Sequence, residues 1–341
     1  MPEIAGEYVD RLITVEIRNR GMPRGITRPL YDAARAEGGG RPLTLRAAEA
    51  LHARVHRDDN VFIITGAGRP PMMPKGENDG PVGAASLARV FLRGIGATPI
   101  YLLEPHHVDP VVAASEVAGV TIVGYDTAKA RHHGGVVEKA PTDDAQVAAW
   151  ASKLFDTYRP AAVISTERLS PNAKGITHNA TGQQLPSPYV DLSPVVAEAA
   201  KRGVVTVGVG DHGNEIGFGR IQDAVREVHP YGGRCQCPCG AGMASAVRTD
   251  VLVVATMSNW GMYGIEAMLA ILLGQPHLPH SPAMTRRIIH ACLDAGGLEA
   301  MWGTKLYLVD GAEGESSEAV VQMLADLVRN ALADPTTGPV H

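Results

Sequence analysis

The chain has 341 residues, a formal net charge of −5, 45% hydrophobic and 20% charged residues, which suits a globular protein with a large core. No Lys/Arg-rich run is present, which argues against nucleic acid and acidic membranes as partners, and no stretch reaches the roughly 18 apolar residues of a membrane helix. The N-terminus lacks an apolar signal core, and the four cysteines, three of them at 235, 237 and 239, show no spaced disulfide framework; both fit a cytoplasmic protein.

Residues 1–60 read as a helical segment, with helical apolar spacing in EYVDRLITVEI and LTLRAAEALHARV, broken by EGGGRP. From residue 61 short apolar runs alternate with amphipathic stretches. Strands are predicted at Val61–Thr65, Pro99–Leu103, Val120–Val123, Ala161–Ser165, Val204–Val207, Val251–Ala255 and Lys305–Val309. Helices are predicted near 82–95, 144–157, 191–202, 261–273, 282–294 and 316–333. These strands lack in/out alternation, as expected when both faces are covered. The pattern predicts an α/β, Rossmann-like fold: a mostly parallel sheet with helices on both faces, over 61–333, followed by a frayed tail at 334–341.

In such sheets ligands sit beyond the carboxyl ends of the strands, and the unusual residues fall there. The loop after the first strand carries Glu77 and Asp79, two carboxylates suited to a cation or an amine. Glu167 and Arg168 end the fourth strand, with His178 and Asn179 further along. The next loop, GVGDHGNEIGFG, contains Gly208, Gly210 and Gly213 in the G-x-G-x-x-G spacing of dinucleotide sites. Asp211 and Glu215 would repel a pyrophosphate there, and no ribose-binding acid follows, so no nucleotide cofactor is expected. Asp211, Asn214 and Glu215 instead offer clustered oxygen ligands for Mg²⁺, Mn²⁺ or an ammonium group, with Asp211 and Glu215 one helical turn apart if a helix begins near Asn214. Ser258 and Asn259 open another helix, whose N–H groups suit a carboxylate. Asp310 and Glu313 form the weakest candidate loop.

The C-x-C-x-C cluster is tighter than the cysteine pairs of structural zinc sites and reads first as loop packing, with His229 the nearest fourth ligand for a metal. The pairs His106/His107 and His132/His133 read as solvent-facing. No nucleophile elbow, Walker loop or H-E-x-x-H is present, which points towards carboxylate or metal chemistry.

Five segments, ENDGPVGAASLAR (77–89), TER with G-x-x-x-N (Thr166–Arg168, Gly175, Asn179), GVGDHGNEIGFG (208–219), SNWGMYG (258–264) and VDG (309–311), resemble in order the C-terminal domain family of D-glutamate cyclase. The resemblance spans roughly residues 60–315. It implies a Rossmann-like fold and a lyase closing D-glutamate to 5-oxo-D-proline with loss of water, or the reverse, with divalent cations in an acidic cavity of some members. His212 stands where the family has Gly, Lys174 where it commonly has Asp, and the CQCPC insert has no family counterpart.

The resulting expectation is as follows. Glu77, Asp79, Asp211 and Glu215 bind Mg²⁺ or Mn²⁺, or the amine of an amino-acid-like substrate. Asp211, Glu215 and Glu167 are catalytic, and Arg168, Asn179, Asn214, Ser258 and Asn259 bind substrate. A metal-dependent hydrolase of a small phosphate ester or amide, and a metabolite- or metal-binding protein without turnover, are the alternatives; homo-oligomerisation is left open.

Overall fold

A computed structural model describes residues 1–18, 23–68, 70–185 and 189–334. Most of the predicted tail lies outside the described residues. The N-terminal part forms α1 (Pro2–Ile13), α2 (Thr27–Glu37) and α3 (Leu43–His52). Then come β1 (Asn60–Ile64), α4 (Pro81–Val90, prolonged by a π turn, Phe91–Ile95), β2 (Thr98–Leu103), α5 (Val108–Ala118), α6 (Tyr125–Arg131) and β3 (Val136–Lys139). The middle of the chain supplies α7 (Asp144–Tyr158), β4 (Ala162–Thr166), α8 (Ser193–Lys201), β5 (Val205–Gly210) and α9 (Gln222–Val228). Last are β6 (Val251–Val254), α10 (Ser258–Leu272), α11 (Pro282–Asp294), β7 (Leu308–Val309), β8 (Ala312–Glu313) and α12 (Gly314–Leu332).

Six strands form one parallel sheet in the order β3-β2-β1-β4-β5-β6, the doubly wound order in which the chain reverses direction between β1 and β4. Alternate residues of each strand face opposite layers. Val61, Ile63, Tyr101 and Leu103 join the larger apolar core with α1, α3, α4, α5 and α10, whereas Phe62, Ile64, Ile100 and Leu102 meet α7 and α8. Burial on both sides explains why β1, β2 and β4 read as unbroken apolar runs.

Two strand expectations are corrected. Val120–Val123 contributes only an isolated bridge, Ile122 to Gly135, and the edge beside β2 is taken by β3. Its sequence, VVEK, is half-exposed on an edge and so lacks the apolar signature of a central strand. Within Lys305–Val309 only the last two residues form a strand, in a β7–β8 hairpin apart from the main sheet. Lys305 and Leu306 are exposed, so that run has no buried face to fill.

The helix α10 organises the site end of the core. All but its last residue are buried, and it packs on α1, α3, α4 and α12. Its first turn meets that of α4 so closely that a Cβ at Gly83 would come within 2.8 Å of the Asn259 Cα. Only glycine permits that approach.

Candidate active site at the sheet switch point

The loops after β1, β4 and β5, the start of α10 and the β7–β8 turn gather Glu77, Asp79, Glu167, Asp211 and Asp310 in one buried region. Carboxylate oxygens of Asp79, Glu167 and Asp211 lie within 4.8 Å of one another, a spacing that one cation could bridge. A carboxylate oxygen of Asp310 likewise lies within 4.8 Å of one of Asp211. Two carboxyls this close repel each other when both are ionised.

Burial pushes all five acids up, and their mutual repulsion adds to it. Asp79 reaches about 8 because desolvation and the nearby Asp310 outweigh three backbone N–H donors. Glu167 is raised by burial, then by Glu215, Asp79 and Glu77, and it adopts a left-handed backbone at φ 45°. A non-glycine residue held there carries local strain, a feature that concentrates at functional sites.

A cation comes from outside the predicted set. Arg18, in the segment after α1, is buried and donates through Nη1 to Asp211 at 2.7 Å and to Asp310 at 3.4 Å. The same Nη1 lies 2.9 Å from His212 Nε2, and His212 Nδ1 lies 2.5 Å from Asp211 Oδ1. A neutral imidazole protonated at Nδ1 satisfies both contacts, and burial together with Arg18 and His229 holds His212 well below the ordinary histidine range. Arg18 Nη2 is buried without a hydrogen-bond partner among the described residues. No local motif flags Arg18, since it meets the acids only through the packing of α1 on α10.

Several predicted residues sit at this site with other duties. Glu215 was expected to face the ligand from a helix starting near Asn214, but no helix forms there. Its Oε1 instead accepts from the backbone N–H groups of Asp211 and His212, each at 3.0 Å, and its Oε2 from Gly213 at 2.8 Å. Glu215 thus anchors its own turn. The N–H groups that a pyrophosphate would use in a dinucleotide site are engaged by that carboxylate. Gly213, at φ 102°, is required by the turn because a Cβ would strike Val225 at 2.4 Å.

Ser258 and Asn259 do not present a free helix N-terminus. Their N–H groups both donate to Asp79 at 2.8 Å, while the Asn259 Oδ1 accepts from Gly80 and Gly83 at the start of α4, at 3.0 and 2.6 Å. Each loop thus caps the other's helix, and the expected substrate carboxylate has no place there. Ser258 stays in the site through its hydroxyl, which donates to Glu167 Oε2 at 2.5 Å.

Arg168 is corrected more fully. Its guanidinium forms a fork on Glu104 at 2.6 and 2.7 Å, donates to Gly66 O at 2.8 Å and to Val190 O, and lies over the Tyr189 ring at 4.2 Å. It faces away from the carboxylate trio and ties the loops after β1, β2 and β4 together. His107 belongs to the same cluster: it is buried, 3.2 Å from Glu104, and so is not the solvent-facing residue expected. His132 and His133 are exposed. Asn179 lies outside the site, where its Oδ1 accepts from Thr181 and Gln183 in a surface turn. Asn214 supports the wall, its Nδ2 donating to His178 O at 2.9 Å, and its buried Oδ1 has no partner among the described residues.

A family model described as D-glutamate cyclase-like, C-terminal, matches residues 40–325. The human protein named D-glutamate cyclase, mitochondrial, is 30% identical over 207 residues, which cover 58% of this chain and 30% of that protein. The chain thus spans about a third of that relative's length. A solved short-chain type dehydrogenase/reductase from Mycobacterium ulcerans is similar over 46% of this chain and 52% of that one, at 17% identity and a TM-score of 0.25, too distant to bear on function. With a match over residues 40–325 and an acidic site assembled by the segments that carry it, the chain belongs to the D-glutamate cyclase-like, C-terminal family.

Proposed function

We propose that the protein is a lyase interconverting an amino acid such as D-glutamate with its lactam, 5-oxo-D-proline, by loss or gain of water. The observation that carries this reading is a buried group of carboxyls, Asp79, Glu167 and Asp211, beside Arg18 with one unpartnered guanidinium nitrogen. Negative charge suits the substrate's ammonium group, and the guanidinium suits its α-carboxylate.

Ring closure requires the amine to lose a proton and attack the side-chain carboxyl carbon, and the departing oxygen to gain protons as water. Carboxyls raised by burial and like charge can do both, because the protonated acid donates to the departing oxygen and its conjugate base takes the proton of the amine. Glu167 is the best-placed proton carrier, since one oxygen is fixed by Ser258 and its left-handed backbone places it just past the end of β4. Arg18 would orient the α-carboxylate through Nη2. His212 keeps the guanidinium aligned on Asp211.

Asp79, Glu167 and Asp211 fit a hard divalent ion, with all-oxygen donors and an excess of buried negative charge. Mg²⁺ or Mn²⁺ bound there would polarise the reacting carboxyl or lactam carbonyl. The unpaired cysteines are compatible with a reducing, cytoplasmic setting. No helix among the described residues is long and apolar enough to cross a membrane.

The test is conversion of D-glutamate and of 5-oxo-D-proline followed by chiral chromatography, after EDTA and after Mn²⁺ or Mg²⁺ addition. The expected result is turnover of the D series in at least one direction, raised by the metal. Binding of D-glutamate without turnover in either direction under both conditions would overturn the lyase reading and leave a metabolite-binding protein.

A further inference from the structure

Away from the acidic site the fold assembles a second group of metal-ligating side chains. The sulfurs of Cys235, Cys237 and Cys239 and Nε2 of His178 all lie within 4.8 Å of one another. Cys235 Sγ is 3.5 Å from Cys237 Sγ and 3.3 Å from Cys239 Sγ. His178 Nε2 is 3.2 Å from Cys237 Sγ and 3.7 Å from Cys239 Sγ. The histidine comes from the loop after β4, 57 positions before the first cysteine, so local chain geometry alone does not explain its arrival.

We propose that His178, Cys235, Cys237 and Cys239 form a tetrahedral structural zinc site. A tetrahedron with zinc–sulfur bonds of about 2.3 Å and a zinc–nitrogen bond of about 2.0 Å has edges of about 3.5–3.8 Å, close to the distances seen. Three thiolates and one imidazole are among the common closed donor sets of structural zinc, and soft sulfur ligands disfavour Mg²⁺ or Mn²⁺ at this position. His178 is fully buried with Nε2 aimed at the thiols. The sequence expectation of His229 as fourth ligand is corrected: its Nδ1 accepts from the Tyr231 N–H at 3.1 Å, and it lies outside the sulfur group.

Hydrogen-bond donors point at two of the sulfurs. The Cys239 N–H points at Cys237 Sγ at 3.4 Å, and Asn172 Nδ2 at Cys239 Sγ at 3.6 Å. Lys174 Nζ donates to Cys239 O at 2.8 Å, placing a positive charge beside the cluster. This is the lysine that stands where an acid is common in the family, and an acid there would repel thiolates. None of the sulfur separations is a disulfide, whose length is about 2.05 Å.

The role follows from what the four ligands join. They clamp the loop after β4 to the segment that precedes β6. The His178 carbonyl is held by Asn214, the Asn214 carbonyl accepts from Ser170 N–H at 2.9 Å, and Gly213 O accepts from Ser245 N–H at 2.9 Å. The zinc therefore braces the turn that carries Asp211 and Glu215 without touching the reacting groups.

The experiment is elemental analysis of the full chain expressed with zinc and gel-filtered, together with thiol titration of the native protein. The expected result is one zinc per chain, with three thiols shielded until the metal is withdrawn by a mercurial reagent. Cobalt substitution of the wild type should give the visible absorption of a tetrahedral thiolate site, a readout that needs no variant. His178→Ala and Cys237→Ser should each lose the metal, and His229→Asn should keep it. Reactive thiols with less than a tenth of an equivalent of zinc, a disulfide among the three cysteines, or stoichiometric iron with inorganic sulfide would each overturn the proposal. So would retention of zinc by His178→Ala.

Discussion

Glu167 is buried among like charges, so its ionised form is costly to the fold and useful to the chemistry. Glu167→Gln should lower kcat by about 10²–10⁴-fold, the usual worth of a positioned proton carrier. Because it keeps the shape and removes the cost of ionising a buried acid, it should leave thermal stability at pH 8 unchanged or higher. Activity near wild type in a folded Glu167→Gln protein would remove Glu167 from the mechanism. Arg18 poses a complementary test. Arg18→Lys keeps one positive charge near Asp211 but loses the free Nη2 donor, and a hydrogen bond between charged groups contributes about 1.5–3 kcal/mol. KM should rise roughly tenfold or more with kcat less affected; an unchanged KM would exclude Arg18 from carboxylate recognition.

At the scale of elements, two crossed devices hold the site loops. The first is the exchange of caps between α4 and α10. Asn259→Ala strips the acceptor from the Gly80 and Gly83 N–H groups and should cost about 1–3 kcal/mol, read as a lower urea midpoint at unchanged slope. The second is the buried fork of Arg168 on Glu104. Burial opposes ionisation of Glu104, yet Arg168 and His107 hold it below the usual carboxylate range. Arg168→Met alone should cost about 3–5 kcal/mol because it strands a buried charge, whereas Arg168→Met with Glu104→Leu should recover much of the loss. Equal costs for single and double variants would show that the pair itself, rather than the stranded charge, carries the stability.

For the whole molecule, the raised acids impose a pH dependence. Asp79 titrates near 3.8 when unfolded and about 8 when folded, so between these values the native state holds more protons and stability falls as pH rises. The buried histidines His212 and His229 have the opposite effect only below about 6.5, where the unfolded chain would protonate them. The window from pH 6.5 to 8.5 therefore excludes the histidines, and scanning a Cys235→Ser variant removes the thiol, lowered to about 6, that would oppose the acids there. In EDTA the melting temperature should drop across it, and Mn²⁺ should reverse the drop by binding the ionised cluster. A flat profile in EDTA would mean that the cluster does not hold protons in the native state.

Five of the six sheet strands were legible from sequence because β1, β2, β4, β5 and the edge strand β6 are covered on both faces, which forces continuous apolar runs. The edge strand β3 was not, since an edge tolerates Glu138 and Lys139 as readily as a loop does. Acidic residues at strand ends could likewise be picked out one by one, as Glu77, Asp79, Glu167 and Asp211 were. What each side chain bonds to depended on neighbours distant in the chain. Glu215 and Arg168 looked equally functional by position, yet one folds back on its own turn and the other finds Glu104, 64 residues earlier. Arg18 carried no signal at all, and His178 stood out only as a member of a candidate loop with no link to the cysteines, because their partners lie 193 and 59 positions away. By itself the sequence determined the layered α/β architecture and the end of the sheet where polar groups collect, since periodicity and burial are local and additive along the chain. Only tertiary structure decided which charges meet, because hydrogen bonds and ion pairs act over a few ångströms of space, and chain separation says nothing about that distance.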